Sequence, residues 1–504
     1  MSAPLDELTS WHADWKGLKV AVLGLASTGF SVADTLAELG ADVLVVSETA
    51  TDDHQRLVPV IGARLHLGPL DAAPDELVAF APDVVVASPG FPPAHPVIRW
   101  AQEEGIALWG DIELAWRVRD KVVREDGSAA DWVFITGTNG KTTTTRLTAT
   151  MLVAGGLRAA PCGNIGVPIL DAVRDPAGFD VLVVELSSHQ LWYLGLNDGA
   201  GSPSPYAAAC LNLADDHLQW HGSAEAYRDA KAVVYRNTRV ACVYNKADAA
   251  TLRMVEEADV VDGARAIGFD LGTPGPSELG VVDGILADRA FLDDRRTSAL
   301  ELTTVAELAE RDLAAPHIVA NALAAAALSR SLGVEPQAVH EALTTFELDP
   351  HRIQVVARAG GVTWVDDSKA TNAHAASASL GGFAPGTVVW VAGGLAKGAT
   401  FDELVRTRAD RLRAVVLIGA DRSALLDALG RHAGDVPVVE VDPGDTGTVM
   451  QRAVETAHGL AQPGDTVLLA PACASMDQFA SYAARGDAFA EQTRLLLGRV
   501  GDGR

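Results

Sequence analysis

Cysteine is scarce in this sequence, and the few cysteines form no recognisable pattern. The 504 residues include four cysteines, Cys162, Cys210, Cys242 and Cys473. They form no C-x-x-C pair and have no metal-ligand spacing. A disulfide-stabilised secreted fold and a cysteine metal site are therefore both disfavoured. We predict reduced, mostly buried thiols in a cytosolic protein.

Positive charge is also in short supply. Lys and Arg number 40 against 66 Asp and Glu, which leaves a formal net charge of -26 at pH 7. A surface with this excess of negative charge repels the phosphate backbone of nucleic acids. We therefore expect no nucleic-acid partner.

Long apolar runs are missing, and so is the apolar core of a signal peptide. No run of about 18 apolar residues occurs, so no membrane span is expected. Met1–Trp15 carries acidic residues in place of an apolar stretch. With 48% hydrophobic and 21% charged residues, the composition is that of an ordinary globular protein. We expect a cytoplasmic protein with no membrane partner.

The sequence does contain a regular alternation of short apolar runs and helical stretches. This alternation predicts an α/β protein with mostly parallel sheets, and the length suggests roughly three domains. The polar stretch Lys121–Ala130 indicates a linker, and the pattern restarts near Phe346–Arg352. We predict domains at 1–128, 129–346 and 347–504. The first and third are expected to be Rossmann-like, and the central one to be a P-loop-type ATPase domain.

The apolar runs also predict where the strands lie. In the first domain they are Lys19–Gly24, Asp42–Ser47 and Asp83–Ser88; in the second, Val133–Thr136, Asp180–Glu185, Tyr206–Asn212 and Val240–Tyr244; in the third, Gly361–Val365, Thr387–Ala392, Ala414–Ile418, Val436–Val441 and Thr466–Leu469. Within Gly272–Leu302, the string G-V-V-D-G-I-L-A-D-R-A-F predicts a surface hairpin.

The most informative string is I-T-G-T-N-G-K-T-T-T, which follows the apolar run V-F-I-T and precedes a helical stretch. Glycines let a polyphosphate approach the backbone N–H groups at a helix N-terminus. Lys141 supplies a positive charge, and the Thr142 hydroxyl stands where Mg²⁺ binds in such loops. A chance glycine-rich turn is disfavoured because strand, Gly-Lys-Thr and helix occur in order. The predicted ATP loop comprises Gly137, Thr138, Asn139, Gly140, Lys141, Thr142 and Thr143.

This loop lacks the first glycine of the usual phosphate loop, since Ile135 stands in that position. The string T-G-T-N-G-K-T-T resembles the shortened ATP loop of the Mur ligase family, the ATP-dependent amide-forming enzymes of peptidoglycan precursor synthesis. The resemblance extends over residues 17 to 495 in the same order. The related folylpolyglutamate synthetases have a similar loop and fold, and they remain an alternative.

Three polar residues beyond the loop are candidate metal ligands. In V-V-E-L-S-S-H-Q-L, Glu185 ends an apolar run, so its carboxylate is expected at the ligand crevice of a parallel sheet. The family resemblance implies that Thr142, Glu185, His217 and Lys231 hold two Mg²⁺ ions, and that Lys231 is carbamylated. The alternatives are a capping carboxylate, a helix-cap histidine and a solvated helix lysine.

Further strings resemble the family's nucleotide contacts. Pro316–Ala326 implies Asn321 at the adenine, and H-R-I implies Arg352 near the γ-phosphate. The string V-D-D-S-K-A-T-N implies Asp367 at the ribose. In the same string, Ser368, Lys369 and Thr371 are implied at the catalytic cleft.

The C-terminal string A-P-A-C-A-S-M-D-Q-F resembles the member of the family that adds D-glutamate. It implies that Ser475, Lys369 and Lys397 hold the side-chain carboxylate of the amino acid, with Tyr482 contributing. The Asp-Asn-Pro-Arg motif of the member that adds diaminopimelate or lysine does not occur in the sequence. This absence favours D-glutamate.

Two further glycine-containing turns match the family and imply contacts with a UDP-linked substrate. The string G-L-A-S-T is a turn suited to a diphosphate or uracil, and S-P-G-F-P and C-G-N-I-G also match. Ser47 and Glu48 replace the Asp-Thr pair expected near uracil. The implied substrate-binding residues are Leu25, Ser27, Thr28, Ser88, Asn164, Ser187 and Ser188.

Together the resemblance implies that ATP activates a carboxylate as an acyl phosphate, which an amine then attacks. UDP-N-acetylmuramoyl-L-alanine and D-glutamate are the implied substrates, and we expect a monomer. The residues implied in catalysis are Lys141, Asn164, His217, Lys231 and Arg352. A folylpolyglutamate synthetase, a non-catalytic nucleotide-binding regulator and an unrelated P-loop ATPase are the alternatives.

Overall fold

A computed structural model describes residues 5–501 of the chain. Residues 1–4 of the first predicted domain and residues 502–504 of the third lie outside the described residues. The chain forms two compact units. Unit 1 contains the residues up to Thr304 together with Ala320–Thr345, and unit 2 contains Val305–Val319 together with the residues from Phe346 onward. Two of the three sheets belong to unit 1 and the third to unit 2.

The first sheet of unit 1 has five parallel strands in the order β3-β2-β1-β4-β5. After a short 3₁₀ turn at Leu5–Glu7, its elements are β1 (Lys19–Leu25), α1 (Ser27–Glu38), β2 (Asp42–Ala50), α2 (Asp52–Val60), β3 (Arg64–Leu67), α3 (Asp75–Phe80), β4 (Val84–Ala87), α4 (Pro96–Glu103), β5 (Ala107–Gly110) and α5 (Asp111–Arg117). Because the chain order reverses at β1, the loops that follow β1, β2 and β4 border one crevice.

The second sheet of unit 1 has nine strands in the order β14-β13-β12-β11-β10-β9-β6-β8-β7. Its elements are β6 (Asp131–Thr136), α6 (Lys141–Ala154), β7 (Ala159–Gly163), α7 (Ile169–Arg174), β8 (Val181–Glu185), α8 (Ser188–Gly195), β9 (Ala207–Cys210), α9 (Leu218–His221), α10 (Ala224–Ala232), β10 (Ala241–Asn245), α11 (Ala249–Glu256), β11 (Arg265–Phe269), β12 (Glu278–Val282), β13 (Ile285–Asp288) and β14 (Leu300–Thr304). A 3₁₀ turn at Val233–Tyr235 follows α10. Only β12–β13 and β13–β14 pair antiparallel among the described strands of this sheet.

Three helices follow β14: α12 (Val305–Glu310), α13 (Pro316–Ser331) and α14 (Pro336–Thr345). Unit 2 then has a six-stranded sheet in the order β15-β16-β20-β17-β18-β19. Its elements are β15 (Gln354–Ala359), β16 (Val362–Asp366), α15 (Ala373–Gly381), β17 (Val388–Gly393), α16 (Asp402–Arg408), a 3₁₀ turn (Ala409–Arg411), β18 (Leu412–Ile418), α17 (Ser423–His432), β19 (Val438–Glu440), α18 (Val449–Leu460), β20 (Thr466–Leu469) and α19 (Tyr482–Gly501). The β15–β16 pair is antiparallel and the other pairs are parallel.

The prediction of an α/β protein with mostly parallel sheets is confirmed. Each predicted strand is present within a few residues. The predicted surface hairpin is the antiparallel pair β12–β13, but three of the four residues of β13 are buried. Six strands were not predicted: β3, β5, β7, β11, β14 and β15. The domain boundaries drawn from the sequence stay a prediction.

Burial distinguishes the central strand β6, which the sequence pattern detected, from β3, which it missed. In β6, five of the six residues are buried, whereas none of the four residues of β3 is. A central parallel strand is covered on both faces and therefore reads as a continuous apolar run. Across the described residues, no helix is long and apolar enough to cross a membrane.

Candidate active site

The loop after β6 has the backbone conformation that a phosphate loop needs. Gly140 has φ +83° and caps α6, and a Cβ there would lie 2.4 Å from Oδ1 of Asn321. A side chain at this position is therefore disfavoured by both backbone strain and a collision. The structure brings Asn321, predicted at the adenine, directly against the loop.

Lys141 brings positive charge to this loop. Nζ of Lys141 donates to the carbonyl oxygens of Gly137, at 2.8 Å, and Thr138, at 3.0 Å. Helix α6 has no acidic residue in its first turn, so the positive end of its dipole is not neutralised locally. Thr142 is half-buried at this end, and Thr143 is buried. The loop is thus suited to an anionic phosphate group.

Lys231 lies inside the protein beside the same loop. Only 2% of the residue is exposed, and Nζ donates to Oγ1 of Thr136 at 3.2 Å and to the Gly137 carbonyl at 2.9 Å. The alternative of a solvated helix lysine is therefore wrong. Burial, and next the nearby charge of Lys141, lower the pKa of Lys231 to about 7.

Lys231 is further enclosed by Tyr227, one turn earlier on α10. Its Nζ lies 5.1 Å from the centre of the Tyr227 ring, and the Tyr227 hydroxyl lies 2.9 Å from Oγ1 of Thr138. Tyr227 and Lys231, which are spaced i,i+4 on α10, therefore both contact the phosphate loop or its preceding strand.

Glu185 ends β8 next to the loop and is 2% exposed. Its Oε1 accepts a hydrogen bond from Nδ2 of Asn164 at 2.9 Å, whereas Oε2 is buried and has no hydrogen-bond partner among the described residues. A buried carboxylate oxygen without a donor is costly unless a cation compensates it. This oxygen therefore fits a role as a Mg²⁺ ligand, since Mg²⁺ prefers oxygen donors.

His217 lies beyond β9 in the left-handed backbone region, with φ +53°. About half of its side chain is exposed, and Nε2 lies 3.6 Å from Oδ2 of Asp216. Its ring packs edge-on against His189 at 4.7 Å between ring centres. Among residues 5–501, no three His, Cys, Asp or Glu side chains converge as a metal-binding group. A Mg²⁺ ion here would therefore depend on water and substrate oxygens as well, which is usual for this metal.

His189 lies in the string V-V-E-L-S-S-H-Q-L, and it packs as an aromatic residue. Its ring stacks on Trp220 with 4.4 Å between ring centres. Burial, followed by the charges of His217 and His221, lowers the pKa of His189 to about 3. The neutral ring therefore contributes to aromatic packing beside the loop.

Ser187 and Ser188 use their hydroxyls within the protein. Ser187 caps α8, its Oγ accepting from the Gln190 backbone N–H at 3.1 Å while Oε1 of Gln190 accepts from the Ser187 backbone N–H. Oγ of Ser188 lies 3.0 Å from Nε2 of His221. The spacing Ser-x-x-Gln could have revealed this capping box. Contact of either serine with substrate stays a prediction.

The first predicted substrate turn lies at the end of β1. Leu25 ends that strand, and Ser27 and Thr28 begin α1. Oγ of Ser88 is buried and has no hydrogen-bond partner among the described residues. Because a Cβ at Gly24 would lie 3.0 Å from this oxygen, the structure brings Ser88 against the turn.

Sequence reasoning missed His54, which contacts this turn from α2. Its Nδ1 lies 3.1 Å from the Leu25 carbonyl oxygen, and its ring stacks on Phe30 at 5.3 Å. Ser47 is buried and donates to the Thr49 carbonyl, and Glu48 accepts from the Leu70 backbone N–H at 3.4 Å. No pattern in the sequence relates position 54 to the turn.

In unit 2, Asp367 lies in the interior. It is 7% exposed. Its carboxylate accepts hydrogen bonds from the Ser379 hydroxyl and, at 3.3 Å, from the Ile353 backbone N–H. Burial raises the pKa of Asp367 to about 7. Arg352 precedes Ile353, and its Nε lies 3.7 Å from Oδ2 of Asp349.

Lys369 and Tyr482 are in direct contact. Nζ of Lys369 lies 3.9 Å from the centre of the Tyr482 ring, and the Tyr482 carbonyl accepts a hydrogen bond from Ser368 at 2.7 Å. Thr371 follows in the same turn, its backbone N–H donating to the Lys369 carbonyl at 2.8 Å. The structure therefore unites two segments that lie more than a hundred residues apart.

A second residue that sequence reasoning missed, Arg485, joins these segments to a third. It is 1% exposed, donates to the Ser368 hydroxyl and carbonyl, each at 3.0 Å, and donates to the Cys473 carbonyl at 3.1 Å. The D-S-K and C-A-S strings are thereby held together. The sequence offers no signal for this role beyond an arginine at the start of a helical stretch.

Lys397 is exposed in the left-handed region, with φ +52°. It lines a cavity of about 200 Å³ that Arg422, Cys473 and Asp477 also line. Ser475 is 4% exposed and is not a lining residue of this cavity. The Leu395 backbone N–H donates to the Ala474 carbonyl at 2.9 Å, so the loops of Lys397 and Ser475 run side by side.

Comparison with known proteins covers most of the chain. Three family models match: "Mur ligase MurD-like, N-terminal domain" over residues 18–110, "Mur ligase middle domain" over 135–329 and "Mur ligase, glutamate ligase domain" over 351–473. A protein of Leifsonia xyli subsp. xyli named UDP-N-acetylmuramoylalanine--D-glutamate ligase is 62% identical over 501 residues, 99% of this chain and 96% of that protein. A Streptomyces avermitilis protein of the same name is 52% identical over 487 residues, 96% of this chain and 99% of that protein.

Solved structures share the fold at low sequence identity. A pseudomurein peptide ligase type C from Methanothermus fervidus has a TM-score of 0.54 and 17% identity, covering 95% of this chain and all of that chain. A UDP-N-acetylmuramate-alanine ligase from Thermotoga maritima has a TM-score of 0.51 and 20% identity, covering 96% of this chain and all of that chain. From the three domain matches and the 62% and 52% identity to the Leifsonia and Streptomyces proteins, the chain belongs to the Mur ligase family.

Proposed function

We propose that the chain is an ATP-dependent ligase that joins D-glutamate to UDP-N-acetylmuramoyl-L-alanine and releases ADP and phosphate, in the synthesis of peptidoglycan precursors. The observation that carries the proposal is the Leifsonia protein of that name, which is 62% identical over 99% of this chain. That match extends over 99% of this chain and so covers the C-terminal string that resembles the D-glutamate-adding member of the family.

The proposed chemistry has two steps. An oxygen of the alanine carboxylate attacks the γ-phosphorus of ATP, forming an acyl phosphate as the bond to ADP breaks. The D-glutamate amine then attacks the acyl carbon, and phosphate leaves through a tetrahedral intermediate as the amine loses a proton. Both steps develop negative charge on oxygen, which fixed positive charges stabilise.

Unit 1 contributes Lys141 and the N-terminus of α6 to the ATP phosphates. The buried position of Lys231 and its bond to the Gly137 carbonyl support a second positive or metal-bound group beside them. Thr142, Glu185, His217 and Lys231 are the proposed Mg²⁺-binding residues, supported by the unpaired Oε2 of Glu185. When bound, Mg²⁺ neutralises phosphate charge.

Carbamylation of Lys231 is part of the proposal. A neutral amine reacts with carbon dioxide to form a carbamate and release a proton, and a pKa lowered to about 7 by burial supports the neutral amine. The carbamate would be an oxygen-donor anion suited to Mg²⁺. Carbon-13 NMR of the protein in labelled bicarbonate tests this: we expect a carbamate signal that Lys231→Gln removes. Its absence from the unsubstituted protein refutes carbamylation.

For the nucleotide, we propose contacts of Asn321 with adenine, Asp367 with ribose and Arg352 with the γ-phosphate. For the UDP-linked substrate, the proposed residues are the turn at Leu25–Thr28 together with Ser88, Asn164, Ser187 and Ser188. For D-glutamate, we propose Lys369, Thr371, Lys397, Ser475 and Tyr482. The exposed ammonium of Lys397 at the cavity of unit 2 supports a carboxylate there.

Phosphate release from ATP tests the proposed function. The protein is given UDP-N-acetylmuramoyl-L-alanine together with D-Glu, L-Glu, L-Ala or meso-diaminopimelate in turn. We expect release with D-Glu alone, with one amide formed per phosphate. Release with a folate and L-Glu in place of these substrates would assign the chain to the folylpolyglutamate synthetases.

We further propose that the enzyme acts as a cytoplasmic monomer with no nucleic-acid or membrane partner. The formal charge of -26 supports the exclusion of nucleic acid. Sedimentation velocity of the full chain tests the monomer, and a dominant species of twice the chain mass would contradict it.

A further inference from the structure

The replacement of the expected Asp-Thr pair by Ser47 and Glu48 raises the question of how the chain distinguishes uracil from other bases. Both side chains already have partners within the first sheet: Ser47 donates to the Thr49 carbonyl, and Glu48 accepts from Leu70. Other residues near the turn at Leu25 are therefore further candidates for reading the base.

General features of this fold indicate where the nucleoside lies. In dinucleotide-binding sheets, the diphosphate binds at the turn after β1, and an acidic residue about 20 residues further on contacts the ribose. Here the turn begins at Gly24, and Glu48 stands near the end of β2. His54 lies at the start of α2, just beyond the end of β2, and therefore near the expected place of the nucleoside.

The imidazole of His54 is held in one orientation by two contacts, and the His54 backbone is held by a third. Its backbone N–H donates to Oγ1 of Thr51, the N-cap of α2, at 3.3 Å. Its Nδ1 lies 3.1 Å from the Leu25 carbonyl oxygen. Its ring lies parallel to Phe30 at 5.3 Å between centres with an interplanar angle of 12°. The imidazole plane is thus fixed beside the proposed substrate turn.

The Leu25 contact also determines the hydrogen-bonding character of the other ring nitrogen. A carbonyl oxygen can only accept, so Nδ1 of His54 must carry the proton. In the neutral imidazole, Nε2 is then an acceptor, and it has no hydrogen-bond partner within residues 5–501. Uracil presents a donor at N3, whereas cytosine presents an acceptor at the same position.

We propose that His54 is a specificity-determining residue whose Nε2 accepts a hydrogen bond from N3–H of uracil, with the Leu25 carbonyl and the Phe30 ring holding the imidazole in place. This inference rests on the proposed function, because it assumes a UDP-linked substrate at the turn after β1. It assigns selection of uridine over cytidine to a residue outside the turn itself.

The test compares UDP and CDP binding to the full chain by calorimetry. His54→Asn keeps an N–H in reach of the Leu25 carbonyl but lacks the outer acceptor, and His54→Phe keeps the stacking alone. His66→Asn, in edge strand β3 and paired with Glu76, is the matched control. We expect about tenfold tighter binding of UDP than CDP by the unsubstituted protein and His66→Asn, as for one hydrogen bond.

Both His54 variants are expected to bind UDP and CDP with similar affinity. Each should also raise KM for UDP-N-acetylmuramoyl-L-alanine about tenfold with kcat unchanged. If His54 only supported the turn, both affinities would fall together and their ratio would persist, which would overturn the inference. Absence of UDP selectivity in the unsubstituted protein would overturn it too.

The inference and the proposed function can fail separately. Selective UDP binding that depends on His54, without phosphate release in the presence of D-glutamate, would support base reading and refute the ligase activity. Ligation of D-glutamate with an unchanged UDP-to-CDP ratio in the His54 variants would support the activity and refute base reading.

Discussion

Replacing Arg485 by methionine should loosen the part of unit 2 that contains Lys369. The Arg485 guanidinium is 1% exposed and donates three hydrogen bonds, two to Ser368 and one to the Cys473 carbonyl. Methionine fills much of the same space but donates nothing. Three acceptors in a buried region would then lose their donor.

The expected loss of local stability in Arg485→Met follows from the number and burial of these hydrogen bonds. Hydrogen bonds to a charged group contribute about 1.5–3 kcal/mol each, and a buried acceptor left without its donor costs about 1–3 kcal/mol. Arg431→Met is the matched control, because Arg431 pairs with Asp402 at the surface with 54% of its side chain exposed. Loss of such an exposed, solvent-screened pair has little effect on stability.

Hydrogen exchange followed by mass spectrometry measures this difference locally. We expect exchange of the backbone amides around Ser368 and Cys473 to become at least about 100-fold faster in Arg485→Met, since each 1.4 kcal/mol corresponds to a factor of ten. Arg431→Met should leave the same peptides within about tenfold of the unsubstituted protein. Equal exchange in the two variants would refute the conclusion that Arg485 holds the segments together.

Three further predictions concern the phosphate loop, the metal ligand and a buried carboxyl. Gly140→Ala should lower kcat/KM for ATP at least about 100-fold, because the new Cβ would lie 2.4 Å from Oδ1 of Asn321. Gly156→Ala is the control, since Gly156 also has a positive φ but has open space around it. Equal kinetics of the two variants would contradict the prediction. Glu185→Gln should raise the Mg²⁺ concentration for half-maximal phosphate release about 10- to 100-fold, and an unchanged titration would exclude Glu185 as a ligand. Burial in the folded state raises the pKa of Asp367 to about 7, so the folded protein binds this proton more tightly than the unfolded chain does. The free energy of unfolding should therefore fall as pH rises from about 4 to about 7. Urea unfolding at pH 5 and pH 8 should show a smaller fall for Asp367→Asn, and the same pH dependence in both proteins would refute this prediction.

The fold was predictable where the sequence signal is local. Strand β6, the glycine loop and α6 are contiguous, and each contributes a clear pattern. The six strands that were missed are four to six residues long, and β3 and β15 contain no buried residue. Half-exposed edge strands lack the continuous apolar run that identifies a central strand.

The candidate site was predictable in part for a related reason. Carboxyl ends of parallel strands meet at one edge of a sheet, so Glu185 could be expected beside the loop after β6. The burial of Lys231, by contrast, depends on how α10 packs against that loop. A lysine on a polar-looking helix reads as solvated until its neighbours in space are known.

The sequence by itself determined the α/β class, the phosphate loop and the membership of the Mur ligase family, because these depend on residues that are adjacent along the chain. Only the tertiary structure decided that Arg485 joins Ser368 to Cys473, and that His54 contacts the Leu25 turn. These contacts connect residues separated by 12 to 117 positions in the chain. Such pairings arise from the packing of whole elements, and packing leaves no periodic pattern in the sequence.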